Sequence, residues 1–97
     1  MISISKCSSL EEIRTNIDSI DNRIVQLICE REQYVLQAAN FKKTEIDVKA
    51  PNRVEQVINK VKKIAKEHNG NELIVEKVYR TMIDAFINRE MKEFKEK

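Results

Sequence analysis

The 97-residue sequence predicts an all-α fold, a three-helix subunit with one very long N-terminal helix. Composition is the first reason. Charged residues make up 35% and apolar ones 41%, with one Gly, one Pro and no Trp, which suits a helix bundle and leaves little material for hairpins. Periodicity is the second. Leu10, Ile13, Ile17, Ile20, Ile24, Leu27, Arg31, Tyr34, Ala38 and Phe41 follow at alternating three- and four-residue steps, the seam of a coiled-coil-like helix. The chain is read as a single helical domain over residues 1–97.

The first helix is expected from about Ser9 to about Lys42. Ser9-Leu-Glu-Glu12 fits a capping box, and no Gly or Pro interrupts the chain before Pro51. At about 1.5 Å per residue such a helix reaches roughly 50 Å. A compact globule of this length spans only about 30 Å, so one chain cannot cover it. An obligate homodimer follows, its long helices packed side by side and each subunit completing the other's core. Lys43 to Ala50 has no helical stripe and is read as the internal loop, a candidate lid between two cationic positions. Pro51 suits the first turn of the second helix, where its missing N–H would have no partner anyway. That helix carries Val54, Val57, Ile58, Val61, Ile64 and Ala65 on one face, with Lys60, Lys62, Lys63 and Lys66 on a solvated one, and stops at His68-Asn-Gly70. The third helix starts near Asn71. It carries Leu73, Ile74, Val78, Tyr79, Met82, Ile83, Phe86, Ile87, Met91 and Phe94, and its charged tail is expected to fray.

Several function classes fall away. Net charge is +2, from 18 basic and 16 acidic side chains, so no general polyanion-binding field exists and no nucleic acid is expected. The start, Met1 to Lys6, lacks an apolar core of signal length, and no long apolar run exists, so the protein is expected to be cytoplasmic and to leave membranes alone. Cys7 and Cys29 have no metal or redox spacing. Cys29 is read as a small core residue and Cys7 as lying near a frayed terminus. The one His sits at a helix stop, no nucleophile–base pair or Gly-rich phosphate loop can be built, and no metal or cofactor is expected.

What remains is a set of cations. Arg31 breaks the apolar seam, and burying a guanidinium there costs several kcal/mol unless an anion meets it. Eleven residues on, Lys42 returns to within about 20° of the same face at a separation of about 16 Å. Val35 and Ala38 lie between them. Two cationic side chains over a floor of small apolar ones make a slot for a small molecule with two carboxylates, while pairing of Arg31 with a structural Glu and a helix-dipole role for Lys42 would explain the same spacing. Arg14, about 25 Å from Arg31 along the axis, can share a site with it only across an antiparallel dimer. Glu90 projects from an apolar stripe formed by Phe86, Ile87, Met91 and Phe94. Its protonation state decides whether it donates a hydrogen bond or only accepts one, and an ion pair with Arg89, Lys92 or a cation of the first helix is the plainer reading.

Cys7-x2-Leu10-x2-Ile-Arg14, the run Ile17-Asp18-x-Ile20-Asp21-x2-Ile24-Val25-Gln26, Arg31-x2-Tyr34-Val35, Ala38, Phe41-Lys42 and Ala50-Pro51-x-Arg53-Val54 together resemble the all-helical chorismate mutase family. Within it the pattern is most similar to the isochorismate-pyruvate lyases of salicylate and siderophore pathways. The resemblance runs from Cys7 to about Met91, specific in the N-terminal half and mainly one of pattern afterwards. It implies an intertwined dimer with two shared sites. Arg14 of the partner and Arg31 would clamp the carboxylates of chorismate or isochorismate, Lys42 and Glu90 would reach the ether oxygen, and Arg53 would approach from the start of the second helix. Val35, Ala38 and Ile87 would line the pocket. The implied catalysis is electrostatic: a pericyclic C–O cleavage needs a held conformer and donors where charge develops, and no nucleophile. Many small bacterial relatives carry Gln at the position of Glu90, so a carboxyl there must be protonated to help, and activity should fall as pH rises. Ala50 and Val54, where dedicated mutases tend to carry polar or acidic residues, resemble the lyase branch. Chorismate mutase activity is expected first, isochorismate-pyruvate lyase activity second, and a noncatalytic helical dimerisation module is the reading from another class.

Overall fold

The computed structural model describes residues 4–97, all helix and connection with no strand among them. The helices are α1 (Leu10–Ala39), α2 (Glu45–Lys49), α3 (Pro51–Glu67) and α4 (Glu72–Glu96). The reading of Met1 to Lys6 falls partly on residues 1–3, outside the described residues.

The start of α1 uses the expected serine and glutamate with a one-residue offset. Ser9 Oγ accepts the Glu12 N–H at 3.1 Å, but the Glu12 carboxylate takes the backbone N–H and hydroxyl of Ser8 at 3.1 and 2.9 Å. Those two bonds, the backbone one foremost, hold the Glu12 carboxyl below its ordinary value. At the other end the helix stops short of Lys42. The N–H groups of Asn40, Phe41 and Lys42 reach back only three residues, to Gln37, Ala38 and Ala39, which tightens and ends the last turn. The Lys97 ammonium then takes the carbonyls of Ala39 (2.9 Å) and Lys42, with its charge over the Phe94 ring.

The segment read as a loop contains a helix of its own. Thr44 and Asp47 form a complete capping box that nucleates α2, a piece too short for any stripe to reveal. Ala50 closes α2 and opens α3 with φ 39° and ψ 59°, a left-handed conformation that an L-residue with a Cβ adopts at a cost of about 1–2 kcal/mol. Pro51 follows as the first residue of α3, as expected.

Between α3 and α4 the chain turns through a Schellman closure. Gly70 N–H reaches Ala65 O at 2.8 Å and Asn69 N–H reaches Lys66 O at 3.1 Å. Asn69 (φ 58°), and not Gly70, takes the left-handed position; a Cβ at Gly70 would stand 3.3 Å from the Ala65 carbonyl, a tight contact that glycine avoids. Asn71 caps α4 by accepting from Leu73 and Ile74. The tail of α4 does not fray: the helix continues to Glu96, steadied by the Lys97 contacts and a Lys95–Glu45 pair at 3.6 Å.

The chain divides into two compact units, one ending at Tyr34 and the other comprising Val35–Lys97. In the second, α3 and α2 pack on α4 around Ala39, Val48, Ile58, Val61, Ala65 and Ile83. Ile64, Leu73, Ile74 and Val78 belong to the expected apolar faces yet remain exposed. The first unit contains no buried residue among those described. Its stripe is open in the single chain, from Ile20 at 40% to Tyr34 at 71% exposure. Cys29 is exposed as well in the single chain, since among the described residues none covers its stretch of α1. Of the lysine run, Lys60, Lys63 and Lys66 are solvated, whereas Lys62 leans onto Glu76 at 3.4 Å. Arg80 completes that α3–α4 clasp with two bonds to Glu55 (2.9 and 3.1 Å) and one to Glu76 (2.8 Å).

Candidate active site

The second unit gathers the chemistry around the turn after α1. Lys42 Nζ donates to Glu90 Oε2 at 2.9 Å and to the main-chain carbonyl of Asp47 at 3.0 Å. Glu90 is the one buried charged side chain among the described residues, 6% exposed, and the Lys42 ammonium is what makes that burial tolerable. The partner is thus the cation expected at the end of the first helix. Arg89 turns instead to Glu93 at 3.4 Å.

Beside the pair lies an open depression of about 560 Å³ lined by Phe41, Lys42, Ile46, Ala50, Pro51 and Arg53 among others, enough for a small ring compound. Lys42 and Arg53 therefore face one cavity from the two ends of the α1–α3 connection. Val35, Ala38 and Ile87 are half-buried within the same unit. Arg14, exposed, and Arg31, half-buried, belong to the first unit.

The arrangement supplies an ammonium fixed by a buried carboxylate, and a guanidinium at the rim. Such a set can hold anionic groups and meet charge developing on an oxygen. Among the described residues no group of three His, Cys, Asp or Glu side chains could hold a metal ion, and no helix is long and apolar enough to cross a membrane.

Sequence reasoning missed Asp47. Its signal was present, since Thr44-x-x-Asp47 has the spacing of a capping box, a local signal that needs no stripe. Lys97 gave no signal in the sequence; its contacts with Ala39 and Lys42 depend on where α4 ends in space.

Comparison with known proteins identifies the family. The family described as chorismate mutase type II matches residues 13–91. The chorismate mutase of Methanocaldococcus jannaschii is 37% identical over 76 residues, covering 77% of each chain. The isochorismate pyruvate lyase of Pseudomonas aeruginosa is 32% identical over 90 residues, covering 93% of this chain and 89% of that one. The chain belongs to the chorismate mutase type II family.

Proposed function

We propose that this protein rearranges chorismate to prephenate as a homodimer with shared active sites. The observation that carries the reading is the Lys42 ammonium, fixed by buried Glu90 at the edge of a cavity that Arg53 also lines. In the rearrangement the ether C–O bond breaks while a C–C bond forms, and no proton or electron leaves the substrate. Catalysis then consists of holding the reactive conformer and countering negative charge on the departing oxygen. Lys42 provides that countercharge, and Glu90, paired with it at 2.9 Å, holds the ammonium at that position. Arg53 takes a carboxylate, as do Arg31 and the Arg14 contributed by a second subunit, while Val35, Ala38 and Ile87 shape the wall. Dimerisation is supported by the open stripe of α1, whose Ile13, Leu27 and Tyr34 have no cover in one chain.

Isochorismate-pyruvate cleavage is the second reading. It is favoured by Ala50 and Val54 and by a lyase relative that covers 93% of the chain. Here the same C–O bond breaks, and a ring hydrogen passes to the enolpyruvyl methylene to release pyruvate. Purified protein incubated separately with chorismate and isochorismate decides between them. Prephenate from chorismate is the expected result, and salicylate with pyruvate from isochorismate alone would transfer the assignment to the lyase. No product from either substrate overturns both and leaves a noncatalytic dimerisation module.

A further inference from the structure

We propose that the Thr44–Asp47 capping box is a positioning device for Lys42, setting the ammonium through the main-chain carbonyl of Asp47. The device follows from Pro51. In a continuing helix the Asp47 carbonyl would accept the N–H of the residue four places on, which is Pro51 and has none. The carbonyl left over is the one that takes Lys42 Nζ at 3.0 Å. It stays where it is because the box holds α2 together. Asp47 Oδ2 accepts the N–H groups of Lys43 and Thr44 at 3.0 Å each, and Asp47 N–H donates to Thr44 Oγ1 at 3.2 Å. A helix of five residues has too few internal bonds to persist without its cap. Lys42 thus has two anchors of different kind: Glu90 supplies charge, which attracts from many directions, and Asp47 supplies a directed acceptor, which selects one. Loss of the box leaves the ammonium paired to Glu90 but free to swing about it.

The inference rests on the reading that Lys42 meets the departing oxygen, so its test has one readout from turnover and one independent of it. Thr44→Val removes the capping oxygen with little change of shape. It should lower kcat about five-fold, the weight of one N-cap, while KM stays within about two-fold. In the unliganded protein, acetic anhydride should acetylate Lys42 faster in Thr44→Val than in wild type, with exposed Lys60 and Lys66 as internal references. Thr44→Ser should restore both values, and Asp47→Ala, which removes the other half of the box, should reproduce both shifts. Unchanged Lys42 labelling in the two box-breaking variants overturns the proposal, and so does failure of Thr44→Ser to restore it. If wild type converts neither substrate the proposed function falls, while the labelling ratio still decides this inference.

Discussion

Removing the Lys42 ammonium strands Glu90, the buried carboxyl it serves, and takes away the cation proposed to meet the departing oxygen. Lys42→Ala should therefore raise the barrier by about 3 kcal/mol, a loss on the order of 100-fold in kcat, by analogy with a lost oxyanion donor. Steady-state turnover of chorismate measures it. Glu90 makes a second prediction with a definite sign. Its carboxylate holds the Lys42 ammonium at 2.9 Å, so losing it frees the cation, and Glu90→Ala should lower kcat. Glu90→Gln keeps the size and an oxygen that accepts from Lys42, and should retain more activity than Glu90→Ala. Equal kcat in wild type and Glu90→Ala would refute the role. Both residues were legible in the sequence because each violates a pattern, one a cation in register with Arg31 and the other a carboxylate in an apolar stripe. What could not be read was their meeting at 2.9 Å, which depends on how α4 packs beside the turn after α1.

At the level of elements, the α3–α4 clasp links stability to acidity. Hydrogen bonds from Arg80 are the main cause holding the carboxyls of Glu55 and Glu76 below their ordinary value, with Lys62 adding to the effect at Glu76. A carboxyl depressed by folding stabilises the native state above its unfolded pKa, and that contribution vanishes as pH falls through the lowered native one. Arg80→Met should consequently lower Tm near neutrality and leave little difference from wild type in acid. Thermal unfolding followed by circular dichroism from about pH 7 down to 2.5 reads the effect, which is small because all these groups are solvent-accessible. Helix boundaries near Pro51 and Asn71 were legible because proline and an N-capping side chain act locally. The short α2 was not, since five residues cannot display a period, and the end of α1 was overestimated because the stripe continues through Phe41 after the backbone has left the helix.

For the whole molecule, the open face of α1 is the dominant fact. Ile13, Ile17, Ile20, Ile24 and Leu27 are each at least 40% exposed in one chain, a row that water does not tolerate over such a length. Twice the 11.4 kDa chain mass, about 23 kDa, is the expected result of multi-angle light scattering. Ile17→Glu should shift the species toward monomer and abolish turnover together, since Arg14 would no longer reach the neighbouring site. A stable, fully active monomer would contradict the shared-site arrangement. Helix length alone raised the proposal of a second copy; which faces of α3 and α4 it would also cover was not legible, because the stripe that holds Leu73, Ile74 and Val78 does not say whose chain it meets, and all three stand exposed in one chain.

Ala50 makes the cavity rim subject to a rule unrelated to ligand fit. Its φ of 39° penalises branching at Cβ whatever the neighbouring space allows. A saturation library at this codon, selected only for folding, should enrich Gly, Asn and Asp and lose Val, Ile and Thr. Attempts to redirect substrate preference through position 50 would then draw on a short alphabet, chosen by chain handedness before any ring hydroxyl is consulted.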